Sequence, residues 1–193
     1  MSIWTDLWNL FFPHSCLLCG RQLISGERVL CLKCLSRLPR TQFHLRKDNI
    51  VECNFWGKIP VERATSFLYY AKGGNVRQLL YELKYHGNQE VGEVMGRMMA
   101  SELMCSHFFD GIDLIVPVPL HQRKKRLRGY NQSECLARGV SVVTGIPMNT
   151  KVVIRSRYTD TQTHKGQYAR WENVRNLLPV FPDGLEEASI VGG

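Results

Sequence analysis

Residues 113–134 read DLIVPVPLHQRKKRLRGYNQSE, and the fold turns on how this stretch is parsed. The run from Ile112 to Val118, apolar but for Asp113, suits a strand buried on both faces of a parallel sheet. Five lysines and arginines then fill the eight positions from His121 to Arg128, followed by glycine, tyrosine and two amides. Beyond them NQSECLARGVSVVTG has helical character, with Asn131 or Ser133 placed to cap its amino terminus. In open α/β sheets ligands bind outside the carboxyl ends of strands, where loops meet helix amino termini. The basic stretch occupies that position. It reads as a solvated face, a nucleic-acid patch or a phosphate cradle. For the cradle, free N–H groups and the helix dipole attract an anion, Gly129 permits close backbone approach and Arg128 offers a bidentate contact.

The same alternation extends outward from this stretch. Upstream, ATSFLYY reads as a strand, NVRQLLYELKYHG as a helix with Val76, Leu79, Leu80 and Leu83 on one face and Gly87 as its stop, and QEVGEVMGRMMASELM as a second helix. The methionines of that helix suit core filling. Downstream, KVVIRS and LLPVF read as short strands on either side of a polar segment. Alternating strands and helices predict an α/β domain over residues 62–193 with a mainly parallel sheet and flanking helices. Residues 39–61, punctuated by Pro39 and Pro60, read as a connector.

Residues 1–38 form a separate module by their cysteines. Cys16 and Cys19 in CLLCG, and Cys31 and Cys34 in CLKC, form two C-x2-C pairs eleven residues apart. Two residues between thiolates let a tight turn present both sulfurs to one ion, and two such turns complete a tetrahedron around Zn2+. A four-sulfur site is closed, so its role is folding and not chemistry. A disulfide pair or free thiols is the other reading of these cysteines. Gly20 suits a knuckle that needs positive φ, Gly26 suits a hairpin turn in the spacer, and His14 is a spare ligand. Cys53, Cys105 and Cys135 stand apart, as small buried residues do.

The chain has 193 residues, 44% hydrophobic and 22% charged, which is a globular composition. A formal charge of +8 favours anionic partners without choosing among them. No apolar run reaches the roughly 18 to 20 residues a bilayer span needs. MSIWTDLWNLFFPH lacks a basic start and a cleavage site, so it reads as a short amphipathic helix ended by Pro13, not as a secretory signal. A cytoplasmic location is expected.

CLLCG with CLKC, LKYHG, VPVPLHQRKKRLRGYNQSECLA and TDTQTHKGQYARWENVRN together resemble the ComF family, which includes the GntX-like proteins. The resemblance runs from about Phe12 to Phe181, and its most specific part is P-V-P-L followed by R-G-Y-N-Q. It implies a zinc-ribbon module ahead of a type I phosphoribosyltransferase-like domain. It further implies that Arg128, Gly129, Tyr130, Asn131 and Gln132 face the pyrophosphate of phosphoribosyl pyrophosphate, bound with Mg2+. Gln162, Thr163, Arg170 and Asn173 would match a hood over such a site, and Lys84 a basic accessory position. The reaction implied is displacement of pyrophosphate from the ribose anomeric carbon.

The family's D-D-x-x-T-T-G loop has no counterpart here; Glu186 and Glu187 lack its strand and its Thr-Gly turn. The chain is therefore expected to be a fragment cut before that loop, or a natural variant without it, and to turn over nothing alone. The family's link to competence implies a rival role as a non-catalytic accessory protein that handles single-stranded DNA beside DNA-uptake proteins. The zinc module, the basic run and exposed aromatics such as Trp56 or Tyr130 would then contact the strand. A purely structural zinc-stabilised interaction module is the third reading.

Overall fold

The computed structural model describes residues 14–155 and the strand Ile190–Gly192. The chain divides into two compact units, Met1–Val94 and Met95–Gly193. The expected amino-terminal helix, the strand LLPVF and the hood residues Gln162, Thr163, Arg170 and Asn173 lie outside the described residues.

In the first unit the chain turns at Cys16–Gly20, where Gly20 N–H donates to the Cys16 carbonyl at 2.8 Å and Gly20 takes φ 69°. An antiparallel bridge joins Ser15 to Gln22. The spacer forms no longer ladder. It turns at Gly26, and the second cysteine pair opens the short helix α1, Leu32–Ser36.

The segment 39–61, expected as a plain connector, holds a 3-10 turn at Phe43–Leu45 and the one-turn helix α2, Ile50–Cys53. A capping box explains α2: the Asn49 side chain accepts from the N–H of Val51 and Glu52, and the Glu52 carboxylate accepts from the Asn49 N–H. The Asn49 amide also donates to the carbonyls of Arg46 at 3.2 Å and Ala64 at 2.9 Å, while Glu52 accepts from the Ala64 N–H at 3.2 Å. Two buried polar side chains thus tie the connector to the segment after Pro60. The ATSFLYY stretch is extended but contributes only a bridge, Arg40 to Leu68, rather than a strand.

Helix α3, Asn75–Tyr85, buries Val76, Leu79 and Leu83 on one face as their spacing requires, and Gly87 follows its end with φ 70°. Helix α4, Gln89–Met104, crosses the division between the units.

In the second unit strand β1, Leu114–Val116, is shorter than its apolar run predicts. Pro117 and Pro119 have no N–H to donate and end the ladder. Strand β2, Ile190–Gly192, pairs parallel with β1 in the register Leu114 to Ile190. On its other side β1 makes a parallel bridge to Met148: Ile115 N–H donates to the Pro147 carbonyl at 2.9 Å, and Asn149 N–H to the Ile115 carbonyl at 3.0 Å. The strand expected at KVVIRS is displaced to this point, because the Asn149 side chain accepts from the Lys151 N–H at 2.9 Å and turns the chain away.

Helix α5, Gln122–Arg128, and helix α6, Gln132–Thr144, follow β1. Ala100, Ile115, Ala137 and Val140 form a buried cluster with Met99, Phe109 and Met148 against it, so of the helix methionines Met99 fills core as expected. Gly96 of α4 lies against the backbone of α6 at Leu136. Of the lone cysteines only Cys135 is buried; Cys53 and Cys105 are exposed, correcting the expectation for those two.

Candidate functional site

The four paired cysteines converge. Their Sγ atoms all lie within 4.8 Å of one another, with Cys19 and Cys31 3.7 Å apart. A disulfide would require about 2.05 Å. Sulfurs at about 2.3 Å from a tetrahedral ion stand about 3.8 Å from each other, so the spacing fits a four-thiolate metal centre and is compatible with zinc. His14 is not in the cluster; its carbonyl accepts from the Leu23 N–H instead.

Backbone geometry prepares the sulfurs for a cation. Burial opposes ionisation of Cys16, but hydrogen bonds from the N–H groups of Cys31, Cys19 and Leu18 and from the Cys19 side chain lower its thiol to about 6. Burial and the neighbouring thiols push Cys34 up to about 12. One thiolate is thus favoured and the next is disfavoured, the behaviour of a cluster that needs a cation before all four sulfurs can ionise.

Glu27 holds the two knuckles in register, a role with no signal in the sequence. Its carboxylate accepts from the N–H of Leu32 at 2.8 Å, beside Cys31, from the N–H of Ile24 at 3.1 Å, and from the Arg21 guanidinium at 3.2 Å. The two backbone donors are the main reason its carboxyl is held below the usual range. Replacing Glu27 with glutamine should weaken metal binding about 10- to 100-fold, the usual effect of losing an outer-shell partner, when measured by competition with a colorimetric chelator.

The basic stretch is helical instead of a loop. Lysine, arginine, glutamine and leucine are strong helix formers. His121 Nδ1 caps α5 by accepting from the Arg123 N–H at 3.2 Å, and Gly129 closes it at φ 80°. Lys125, Arg126 and Arg128 fall in the last turn of α5, where they complement the negative end of the helix dipole.

After Gly129 the chain folds back into α6. Lys125 Nζ meets the Glu134 carboxylate at 3.0 Å across the turn. Asn131 is 3% exposed, and its side chain is fully engaged: Oδ1 accepts from the Ser133 N–H at 3.1 Å, capping α6, and Nδ2 donates to the Val118 carbonyl at 3.0 Å. Tyr130 is 7% exposed, which corrects the expectation of an outward-facing stacking ring there; Trp56 is exposed as expected. Burial and the Cys135 thiol raise the Tyr130 phenol against the pull of the Arg128 guanidinium. Gly129 is exposed, Arg128 is partly exposed, and Gln132 carries a buried Nε2 with no hydrogen-bond partner. Lys84 lies exposed on α3 in the first unit.

The chain is similar to DNA utilization proteins. It is 28% identical over 172 residues to DNA utilization protein YhgH of Escherichia coli K12, covering 86% of this chain and 72% of the relative. The Shigella flexneri protein of that name matches to the same extent. Competence protein F of Haemophilus influenzae is 32% identical over 68 residues, 35% of this chain and 30% of that protein. No family model matches the chain, and no solved structure matches it significantly. Among the described residues, no helix is long and apolar enough to cross a membrane.

Proposed function

We propose that this chain is a ComF-like DNA-handling protein whose first unit is held by a structural zinc ion. The observation that carries the reading is the similarity over 172 residues to proteins named for DNA utilization. The excess of positive charge, +8 over the chain, suits a polyanionic partner. The sulfur cluster supports the zinc assignment, because soft thiolates at tetrahedral spacing select that ion over Mg2+ or Ca2+. A labelled single-stranded oligonucleotide titrated at increasing salt tests the DNA reading. With about four phosphates contacted, log affinity should fall against log salt with a slope of about −3. Undetectable or salt-insensitive binding eliminates it.

A second reading is favoured by the orphaned Gln132 amide. A buried donor without an acceptor, beside the exposed Gly129 and Arg128 at the start of α6, suits the phosphate of a ligand. On this reading residues 128–132 seat phosphoribosyl pyrophosphate in a phosphoribosyltransferase-like domain. Gly129, the Arg128 guanidinium and Gln132 would hold the pyrophosphate, while Tyr130 and Asn131 shape the turn. The chain has no Asp-Asp pair for Mg2+ and the ribose hydroxyls, so no catalytic step is assigned to it. Calorimetric titration with phosphoribosyl pyrophosphate should give weak heat that Arg128→Ala abolishes. Equal heat from that variant, or none from either protein, removes the reading.

A further inference from the structure

The aromatic residues are placed unevenly. Among the described residues the first unit exposes Trp56, Tyr69, Tyr70, Tyr81 and Tyr85, whereas Phe108 and Tyr130 of the second unit are buried. Two of the exposed rings share one helix. Tyr81 and Tyr85, 50% and 62% exposed, stand one turn apart on α3, opposite the buried Val76, Leu79 and Leu83. Their centroids are 4.9 Å apart at 45°, and His86 meets Tyr81 edge-on at 5.0 Å.

Arg77 and Lys84 flank the rings on the same outer face. Glu82, the one acid of α3, pairs at 2.8 Å with His86, the ring that meets Tyr81 edge-on. The Gln78 amide donates to the Leu17 carbonyl, which places this face beside the first cysteine knuckle. Between His14 and Val94 there are twelve lysines and arginines against seven aspartates and glutamates, so the field around these rings favours an anion.

From this we infer that the outer face of α3, with Tyr81 and Tyr85 between Arg77 and Lys84, is a stacking platform for single-stranded DNA. The inference rests on the DNA-handling reading and gives that reading a location. Exposed rings bordered by cations match unpaired bases on a phosphate backbone. A duplex keeps its bases stacked on one another and offers such rings no partner. Tyrosines beside cations also suit a protein partner; the positive field and the DNA-handling reading select a polyanion.

The test uses the full chain and a short labelled oligothymidylate followed by fluorescence anisotropy. Tyr81→Ala with Tyr85→Ala should weaken binding at least about tenfold, while Tyr81→Phe with Tyr85→Phe, which keeps both rings, should stay within about twofold of the parent. A Tyr81→Trp variant should lose indole fluorescence on adding the strand, a signature that a change in helix stability would not give. Four results overturn the inference: an alanine pair that binds like the parent, an indole unaffected by the strand, a blunt duplex that competes equally, or an alanine pair that changes only self-association. If the parent binds no oligonucleotide even at low salt, the DNA reading falls as well; if it binds and the alanine pair binds equally, only the platform falls.

Discussion

Serine in place of Cys31 should abolish tight metal binding and release the fold around residues 14–38, leaving the second unit ordered. Cys31 is fully buried, its thiol stands 3.7 Å from that of Cys19, and its N–H donates to the Cys16 thiol at 3.4 Å. A hydroxyl is a poor substitute for a thiolate at a soft site. The segment has little else to hold it: its buried apolar residues are Cys16, Val29, Leu30, Cys31 and Leu38, and two of these are ligands. Cores of that size need a metal or disulfides, and a structural zinc site contributes about 10–16 kcal/mol of binding free energy in isolated finger peptides. Hydrogen exchange should show residues 14–38 losing protection in the variant, and the parent should do the same on chelation. Protection unchanged by both treatments would show that the knuckles stand without a cation.

Alanine at Gly96 should lower the melting temperature by about 10 °C, corresponding to about 3 kcal/mol. By intrinsic propensity the change should help, since glycine inside a helix costs about 1 kcal/mol relative to alanine. Packing decides otherwise. A Cβ at Gly96 would lie 2.1 Å from the Leu136 carbonyl oxygen, 2.9 Å from its carbon and 3.2 Å from the Gly139 Cα. All three are backbone atoms, so no rotamer change relieves the clash, and α4 must separate from α6 above the Ala100, Ala137 and Val140 cluster. Ser101→Ala on the exposed side of α4 should change stability by no more than about 0.5 kcal/mol. A melting temperature that rises in Gly96→Ala would show that the two helices do not meet there.

Features set by neighbours in sequence were legible before the structure. The apolar spacing of α3, the glycine that follows its end, the Asn131 cap and the two cysteine turns all follow from local geometry. Features set by distant partners were not. Nothing near Glu27 announces that it holds Leu32, nothing near Asn49 points to Ala64, and the partner of Gly96 lies far along the chain. The basic run was read by its charge and its place after the strand, which say nothing of its backbone; its residue types and its His121 and Gly129 caps favour a helix. In the turn at residues 128–132, residue names located the segment. Only the coordinates separate Tyr130 and Asn131, which shape it, from Gly129 and Arg128, which remain accessible.

The double grip of Asn131, on the Val118 carbonyl and on the Ser133 N–H at the start of α6, fastens both ends of everything between Pro119 and Tyr130. One amide works as a clasp, so the helix keeps its seat on the strand whatever the enclosed segment contains. Lengthening a surface loop costs only about 0.6 kcal/mol per doubling. Residues 120–127 are therefore the place where descendants of this chain can drift in length and charge while the scaffold on either side, and the turn from Arg128 to Tyr130, stay put.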